Sequence, residues 1–216
     1  MELHQMIRFA LVASLLALSP GVQAAGVGQL IPAAEYSALV ELYNLTAGTN
    51  WSASTGWLSS NAPTWFGVVI TAGHVTKLSL SNNRMRGTLL DSLGNLSGLQ
   101  NLDLHQNQLS NSIPDTLEIL TNLQYMDLSL NRLSNNIPDG LGNLAGLKSL
   151  NLSANRLASV IPDSFGNLTG LTNLDLSGND LTGEIPGSLG NLTKLKNLNL
   201  AYGSGHNGLT GIIPDI

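Results

Sequence analysis

Four polar side chains of catalytic types recur at a fixed spacing near the middle of the chain. Asp103 and His105 are two residues apart, and Asp127 and Ser129 repeat that arrangement 24 residues later. On neighbouring strands, Ser129, His105 and Asp103 would form the residue set of a hydrolase triad. Likewise, Asp103 and Asp127 would form a carboxylate pair like that of a glycosidase.

An open strand face does not complete either kind of active site. A triad also needs an oxyanion hole and a pocket. The aspartates occupy a regular position of the repeated strand motif, which has the form L-D-L-S in the fifth unit. Weak calcium binding by the two carboxylates is an alternative. We predict that the chain is not an enzyme, with no cofactor and no metal site, and that these residues belong to a binding surface.

The spacing of 24 residues comes from an internal repeat. Five full units, 75–98, 99–122, 123–146, 147–170 and 171–194, precede a shorter sixth unit that starts at Leu195. Within each unit, leucines two apart, such as Leu174 and Leu176, point to one face of a strand, and the polar residues between them point to the other. A single unit buries too little apolar surface to fold alone, so the units must stack.

Stacking places the polar residues in three rows on the concave face of a sheet. The rows contain mainly Ser, Asn and Asp, and they are interrupted by His105, Tyr125, Leu130 and, further along, Tyr202. Exposed aromatic residues are frequent contact anchors. The predicted ligand-binding residues are therefore Asp103, His105, Tyr125, Asp127 and Leu130.

Other positions of the unit predict structural roles. An Asn side chain can pair with backbone groups where the strand turns away, which predicts a ladder of Asn83, Asn107, Asn131, Asn155, Asn179 and Asn207. A positive φ is expected at Gly87, Asn111, Asn135, Ser159, Gly183 and Gly211, where Ser159 is the exception in residue type. Asp115, which follows Ile-Pro, is expected to cap a short helical turn.

The pattern L-x-x-L-x-L-x-x-N-x-L-x-G-x-I-P-x-x-L-G-N-L over Val75–Ile216 resembles the plant-type leucine-rich repeat family. The segment before it is similar to the N-terminal cap of the family, in the Cys-free form of secreted bacterial and protist relatives. The residues that carry this likeness are Ala38–Tyr43, Asn50-Trp51, Gly56-Trp57, Trp65–Val68 and Gly73-His74-Val75, with Pro63 and Ile70 at the usual cysteine positions.

This resemblance implies an α/β fold, a leucine-rich repeat solenoid shaped as a right-handed horseshoe. A parallel β-sheet would form the concave face and short helical turns the convex side. It also implies a role in binding, since relatives serve in receptors, enzyme inhibitors and adhesion.

Composition and the start of the chain give further bounds. The 216 residues carry a net charge of −5 with 11% charged residues, which argues against nucleic acid as a partner. Residues 1–24 are predicted to be a secretory signal peptide, because the apolar run Phe9–Leu18 is too short to span a membrane. We expect residues 25–74 to form a helical cap, residues 75–216 to form the solenoid, and the mature protein to be secreted, whether into cell wall, apoplast or periplasm.

Six N-x-S/T sequons are candidates for glycosylation if the source organism glycosylates secreted proteins. They are Asn44, Asn50, Asn95, Asn151, Asn167 and Asn191, and three of them belong to the repeated G-N-L-[ST].

Three function classes remain open. The first is a secreted module that binds a protein, peptide or glycan. The second is an ectodomain fragment of a larger receptor, including a receptor kinase, and the third is a binder of ice or of a cell-wall polysaccharide. The sixth unit carries an insertion at 203–206, and Leu195, Leu198, Leu200 and Leu209 would leave its edge apolar. We therefore expect self-association through that edge or a partner that covers it.

Overall fold

A computed structural model describes residues 31–59, 65–201 and 207–215. The predicted signal peptide, Pro63, Tyr202 and the insertion at 203–206 lie outside the described residues. The division into leader, cap and solenoid stays a prediction.

The first described segment packs against the first repeat. Helix α1, Ala33–Leu45, buries Ala38, Leu39 and Leu42 completely. The sequence predicts a helix here with Ala38, Leu42 and Leu45 on one apolar stripe, but Leu45 is 45% exposed. The difference arises because the helix ends there, where the N–H and the hydroxyl of Thr46 both donate to the carbonyl of Leu42.

An aromatic cluster fills the space between α1 and the first strands. The rings of Trp51, Trp57 and Trp65 are buried and contact one another and the tyrosines of α1. Each indole N–H donates to a backbone carbonyl, so burial leaves no donor unpaired. These tryptophans pack the N-terminal end of the molecule.

Two sheets run the length of the repeats. The first sheet has the order β1-β2-β4-β6-β8-β10-β12, and all of its pairs are parallel except β1–β2. Its strands are β1 Val68–Thr71, β2 His74–Ser79, β4 Asn101–Asp103, β6 Tyr125–Asp127, β8 Ser149–Asn151, β10 Asn173–Asp175 and β12 Asn197–Asn199.

The second sheet is entirely parallel, in the order β13-β11-β9-β7-β5-β3. Its strands are β3 Arg86–Thr88, β5 Gln108–Asn111, β7 Arg132–Asn135, β9 Arg156–Ser159, β11 Asp180–Glu184 and β13 Gly208–Thr210. Short 3-10 turns return the chain between the sheets, at Gly48–Asn50 in the N-terminal segment and then at Asp91–Asn95, Asp115–Ile119, Asp139–Asn143, Asp163–Asn167 and Gly187–Asn191. The predicted α/β solenoid of parallel strands and short helical turns is confirmed.

The core is a column of leucines between the two sheets and the turns. In the fifth unit, Leu174 and Leu176 are 1% and 0% exposed, as expected from their spacing of two along β10. The same positions in the sixth unit, Leu198 and Leu200, are only partly buried.

The backbone at the end of the second-sheet strands is left-handed, as predicted from the sequence. The φ angles are 123° at Gly87, 66° at Asn111, 67° at Asn135, 80° at Ser159, 81° at Gly183 and 83° at Gly211. Ser159 therefore adopts a conformation that Gly and Asn tolerate better.

The predicted helix cap at Asp115 is wrong. The 3-10 turn begins at Asp115 itself, and Pro114 precedes it without a side-chain cap. The N–H that a cap would satisfy is already paired, since Leu117 donates to the carbonyl of Pro114 at 3.2 Å.

Candidate ligand-binding site on the concave face

The first sheet aligns equivalent residues of successive units side by side. Lys77 pairs with Asn101, Asn101 with Tyr125, and Tyr125 with Ser149. One row away, Ser79, Asp103, Asp127 and Asn151 are aligned in the same way. The predicted rows are therefore present, with neighbours on adjacent strands roughly 4.8 Å apart.

Four of the five predicted ligand-binding residues line one depression on this face. It encloses about 250 Å³ and spans strands β2, β4, β6 and β8. Its lining residues are Lys77, Ser79, Asn101, Leu102, Asp103, His105, Tyr125, Met126, Asp127 and Ser149. Leu130 is the predicted residue that does not belong to it.

His105 replaces a serine in a hydrogen-bonding motif that the third, fourth and fifth units share. In the third unit, Asp127 Oδ1 accepts from the N–H of Ser129 at 2.9 Å and from its hydroxyl at 2.6 Å. In the second unit, Asp103 Oδ1 lies 3.2 Å from the N of His105 and 2.7 Å from its Nδ1. The imidazole is therefore held against its own strand, with 35% of the side chain exposed to the depression.

This motif prevents the hydrogen bond between Ser129 and His105 that a catalytic triad needs. Ser129 is only 4% exposed, and its hydroxyl donates to Asp127 rather than to His105. Ser129 and His105 therefore each hydrogen-bond to the aspartate two residues earlier in their own unit, and not to each other.

Tyr125 provides the apolar wall of the depression. Its side chain is 46% exposed and stands next to Asn101 on β4 and Ser149 on β8. Its neighbours in the row are small, and nearly half of its surface is open to a ligand.

Asn101 and Lys77 also line the depression, although the sequence did not predict them as ligand-binding residues. The Oδ1 atom of Asn101 is buried without a hydrogen-bond partner among the described residues. In the fifth unit the equivalent Asn173 Oδ1 accepts from Asn197 Nδ2 at 2.6 Å. The alignment of the repeats would have predicted this difference, because the neighbour of Asn101 on the next strand is Tyr125, which has no amide group to donate.

Leu130 lies outside the depression, at the position where each unit leaves the first sheet. Its φ is 55° and its side chain is 52% exposed. The equivalent residues Asn82, Gln106, Ala154 and Gly178 also have positive φ. A leucine is the bulkiest of these, so its exposure and backbone conformation are both unfavourable for stability.

The Asn side chains of the predicted ladder lie between consecutive units. The Nδ2 group of Asn107 donates to the carbonyls of Leu80 and Leu104, and its Oδ1 accepts from the N–H of Asn83 and Met85. The same bridging contacts recur at Asn131, Asn155, Asn179 and Asn207. Asn83 instead exchanges two hydrogen bonds with the backbone of Ala53, which ties the N-terminal segment to the first repeat.

The sequon residues fall on different surfaces. Asn151 lies on the concave face, where its Oδ1 accepts from Ser153 and its Nδ2 donates to Asp127 at 3.3 Å. The exposed sequon residues are Asn44, Asn50, Asn95, Asn167 and Asn191.

The described part of the chain contains neither a metal-binding cluster nor a membrane-spanning helix. Across residues 31–59, 65–201 and 207–215, no three His, Asp or Glu side chains are grouped so that they could hold a metal ion. Within the same ranges, no helix has the length and apolar character needed to cross a bilayer.

Residues 73–133 and 145–203 match the family described as leucine rich repeat. No curated protein matches the sequence. Among solved structures, the ectodomain of the Arabidopsis thaliana membrane receptor kinase GASSHO1/SCHENGEN3, in complex with CASPARIAN STRIP INTEGRITY FACTOR 2, is 31% identical with a TM-score of 0.72, over 83% of this chain and 22% of that one.

Two further ectodomain structures differ in length. The Arabidopsis HAESA ectodomain in complex with an IDA peptide hormone is 33% identical, with a TM-score of 0.68 over 82% of this chain and 30% of that one. A chain of the BIR3–SERK2 complex from Arabidopsis thaliana is 31% identical, with a TM-score of 0.67 over 82% of this chain and 96% of that one. This chain thus spans less than a third of the long ectodomains and nearly all of the short one.

Proposed function

Because the chain belongs to the leucine-rich repeat family and is of plant type, we propose that it is a secreted binding module that holds a peptide or protein partner on its concave face. The observation that carries this proposal is the depression of about 250 Å³ at the second and third units, where the half-exposed Tyr125 interrupts rows of small polar residues. The aligned solved structures support it, since two of them are complexes with a peptide hormone or with a second protein.

A discrete ligand fits this surface better than a periodic one. Lys77, Tyr125 and His105 each break the row in which they lie, so the concave face has no uniform array to match ice or a polysaccharide lattice. A glycan remains a ligand class for the same depression, because aromatic rings and carboxylates also suit hydroxyl-rich partners.

The same comparison supports a receptor-like role. The ectodomains of similar fold belong to receptor kinases, and we propose that this chain serves as part of a receptor of that kind outside the cell. The sequons on the exposed surfaces would carry glycans in a host that modifies secreted proteins.

The test is selection of random linear peptides on the immobilised protein, followed by calorimetric titration of the selected peptides against variants. Tyr125→Ala should weaken binding about thirtyfold, since removal of a central aromatic anchor costs about 2 kcal/mol. Phe66→Ala is the matched control, because Phe66 is a similarly exposed aromatic residue, at 43%, in the N-terminal segment. Equal affinities for the parent and Tyr125→Ala would show that the concave site is wrongly placed.

A further inference from the structure

We propose that the depression recognises one basic side chain, preferably the guanidinium group of an arginine, on the bound partner. This inference rests on the proposed function and adds the chemistry of the group that is recognised. It follows from hydrogen-bond acceptors that the strand contacts leave unused, from the aromatic ring of Tyr125 beside them, and from the position of Lys77, the lysine that lines the depression.

The first observation is unused acceptor capacity. Asp103 and Asp127 each use Oδ1 to hold the residue two positions later. Asp127 Oδ2 accepts only a long contact of 3.3 Å from Asn151, and Asp103 Oδ2 has no hydrogen-bond partner among the described residues. A carboxylate has about four lone-pair directions, so both side chains can accept further donors from the depression.

The second observation is the placement of Tyr125 next to these carboxylates. Tyr125 and Asp127 are two residues apart on β6 and face the same side. A planar guanidinium can stack on an aromatic ring while donating to a neighbouring carboxylate, a combination that suits arginine better than lysine. The ring and the carboxylate are roughly 7 Å apart along the strand, which one guanidinium spans.

The third observation is the unpaired acceptor of Asn101. Its Oδ1 is buried without a partner in the part of the chain that the structure describes, because Tyr125 replaces the Asn donor found two units beyond the depression. This part of the depression therefore lacks a hydrogen-bond donor rather than another acceptor.

Lys77 determines where in the depression the basic group lies. It is exposed on β2, next to Asn101, and forms no ion pair with either aspartate within the described residues. Asp127 is two strands away, roughly 10 Å at the usual strand spacing. The basic group is accordingly placed at the Tyr125 and Asp127 side, and Lys77 opposes it only weakly through solvent.

The test uses N-acetyl-arginine amide and its neutral isostere N-acetyl-citrulline amide as probes in NMR titrations. We expect the arginine probe to bind about tenfold more tightly than the citrulline probe, as the loss of a charge-assisted bidentate contact implies. The side-chain amide signal of Asn101 and the ring signals of Tyr125 should shift with the arginine probe. Equal binding of the two probes, or shifts confined to other surfaces, would overturn the proposal.

Asp127→Asn and Asp175→Asn form a matched pair for the same titration. Both remove one negative charge, and in both aspartates Oδ1 accepts a hydrogen bond from the serine two residues later. Asn151 accepts the same hydrogen bond in the fourth unit, so we expect neither change to disturb the strand. Asp127→Asn should abolish the preference for arginine over citrulline and Asp175→Asn should leave it intact; the same loss in both variants would reduce the effect to net charge and overturn the proposal.

The two proposals fail in different ways. Selected peptides that need Tyr125 but contain no basic residue, together with equal arginine and citrulline binding, would leave the concave binding site in place and remove its preference for a basic group. Selected peptides that bind the parent and Tyr125→Ala with equal affinity would rule out the concave site itself.

Discussion

A single Asn of the ladder makes four hydrogen bonds, two within its own unit and two to the preceding unit. Asn131 donates to the carbonyls of Leu104, Leu128 and Ser129 and accepts from the N–H of Leu109. In Asn131→Ala, the N–H of Leu109 and the three carbonyls lose that partner. We expect the free energy of unfolding to fall by about 1–3 kcal/mol, measured by denaturant titration.

Asn207 is the comparison for this prediction. Two of its three carbonyl contacts are long, at 3.4 and 3.5 Å, and it joins the partly buried sixth unit to the fifth. Asn207→Ala should therefore cost less than Asn131→Ala. Equal losses, or a larger loss at Asn207, would contradict a structural role that depends on these contacts.

Single residues were predictable where the repeat dictates them and unpredictable where it is interrupted. The Asn ladder positions and the six left-handed residues from Gly87 to Gly211 follow from a pattern that every unit copies. Asn101 and Leu130 did not follow, because their environments depend on which residue the next unit supplies. The row neighbour of Asn101 is Tyr125, and the chain turns at Leu130 before it can reach the depression.

At the scale of elements, a buried carboxylate attaches α1 to the first repeat. Glu35 is 1% exposed; its Oε2 accepts from the N–H of Val75 at 2.8 Å, and its Oε1 lies 2.6 Å from Nδ1 of His74. Glu35→Ala leaves the buried N–H of Val75 unpaired. We expect the free energy of unfolding to fall by about 1–3 kcal/mol in denaturant titrations.

Glu41→Ala in the same helix is the control. Glu41 is partly exposed and has no hydrogen bond or ion pair in the described structure, so its loss should change stability by less than about 0.5 kcal/mol. The Glu35 contact would be structurally unimportant if the two variants unfolded at the same denaturant concentration.

The elements themselves were predicted with uneven success. The helix from residue 33 to 45 and the strands spaced by 24 residues follow from apolar periodicity. The contact between Glu35 and β2 did not, because it joins positions about 40 residues apart with no shared pattern. The Asp115 cap failed because the carbonyl of the preceding proline satisfies the same donor.

For the whole molecule, stacking explains both the predictable fold and its weakest end. Each unit buries its leucines against the next, so the number of units and their order could be read from the sequence. The ligand could not, because it is determined by a few exposed side chains rather than by the repeat. The same dependence on neighbours makes the sixth unit different, with Leu198 and Leu200 only partly buried where Leu174 and Leu176 are fully buried.

Two exposed isoleucines of the sixth unit predict self-association of the chain. Ile212 and Ile213 are 85% and 60% exposed, in the unit whose Leu198 and Leu200 are only partly buried. Exposed apolar side chains of this kind favour contact with a second copy or with a hydrophobic dye. We expect the average mass from light scattering to rise with protein concentration, and the double variant Ile212→Lys, Ile213→Lys to suppress both that rise and dye binding.

The double variant Ile119→Lys, Val160→Lys provides the control with the same change in net charge. These residues are 57% and 52% exposed but lie away from the sixth unit, so association should continue as in the parent. Suppression by both variants would identify added positive charge as the cause. A parent protein that stays monomeric at all concentrations and takes up no dye would show that the partly buried leucines already have sufficient cover.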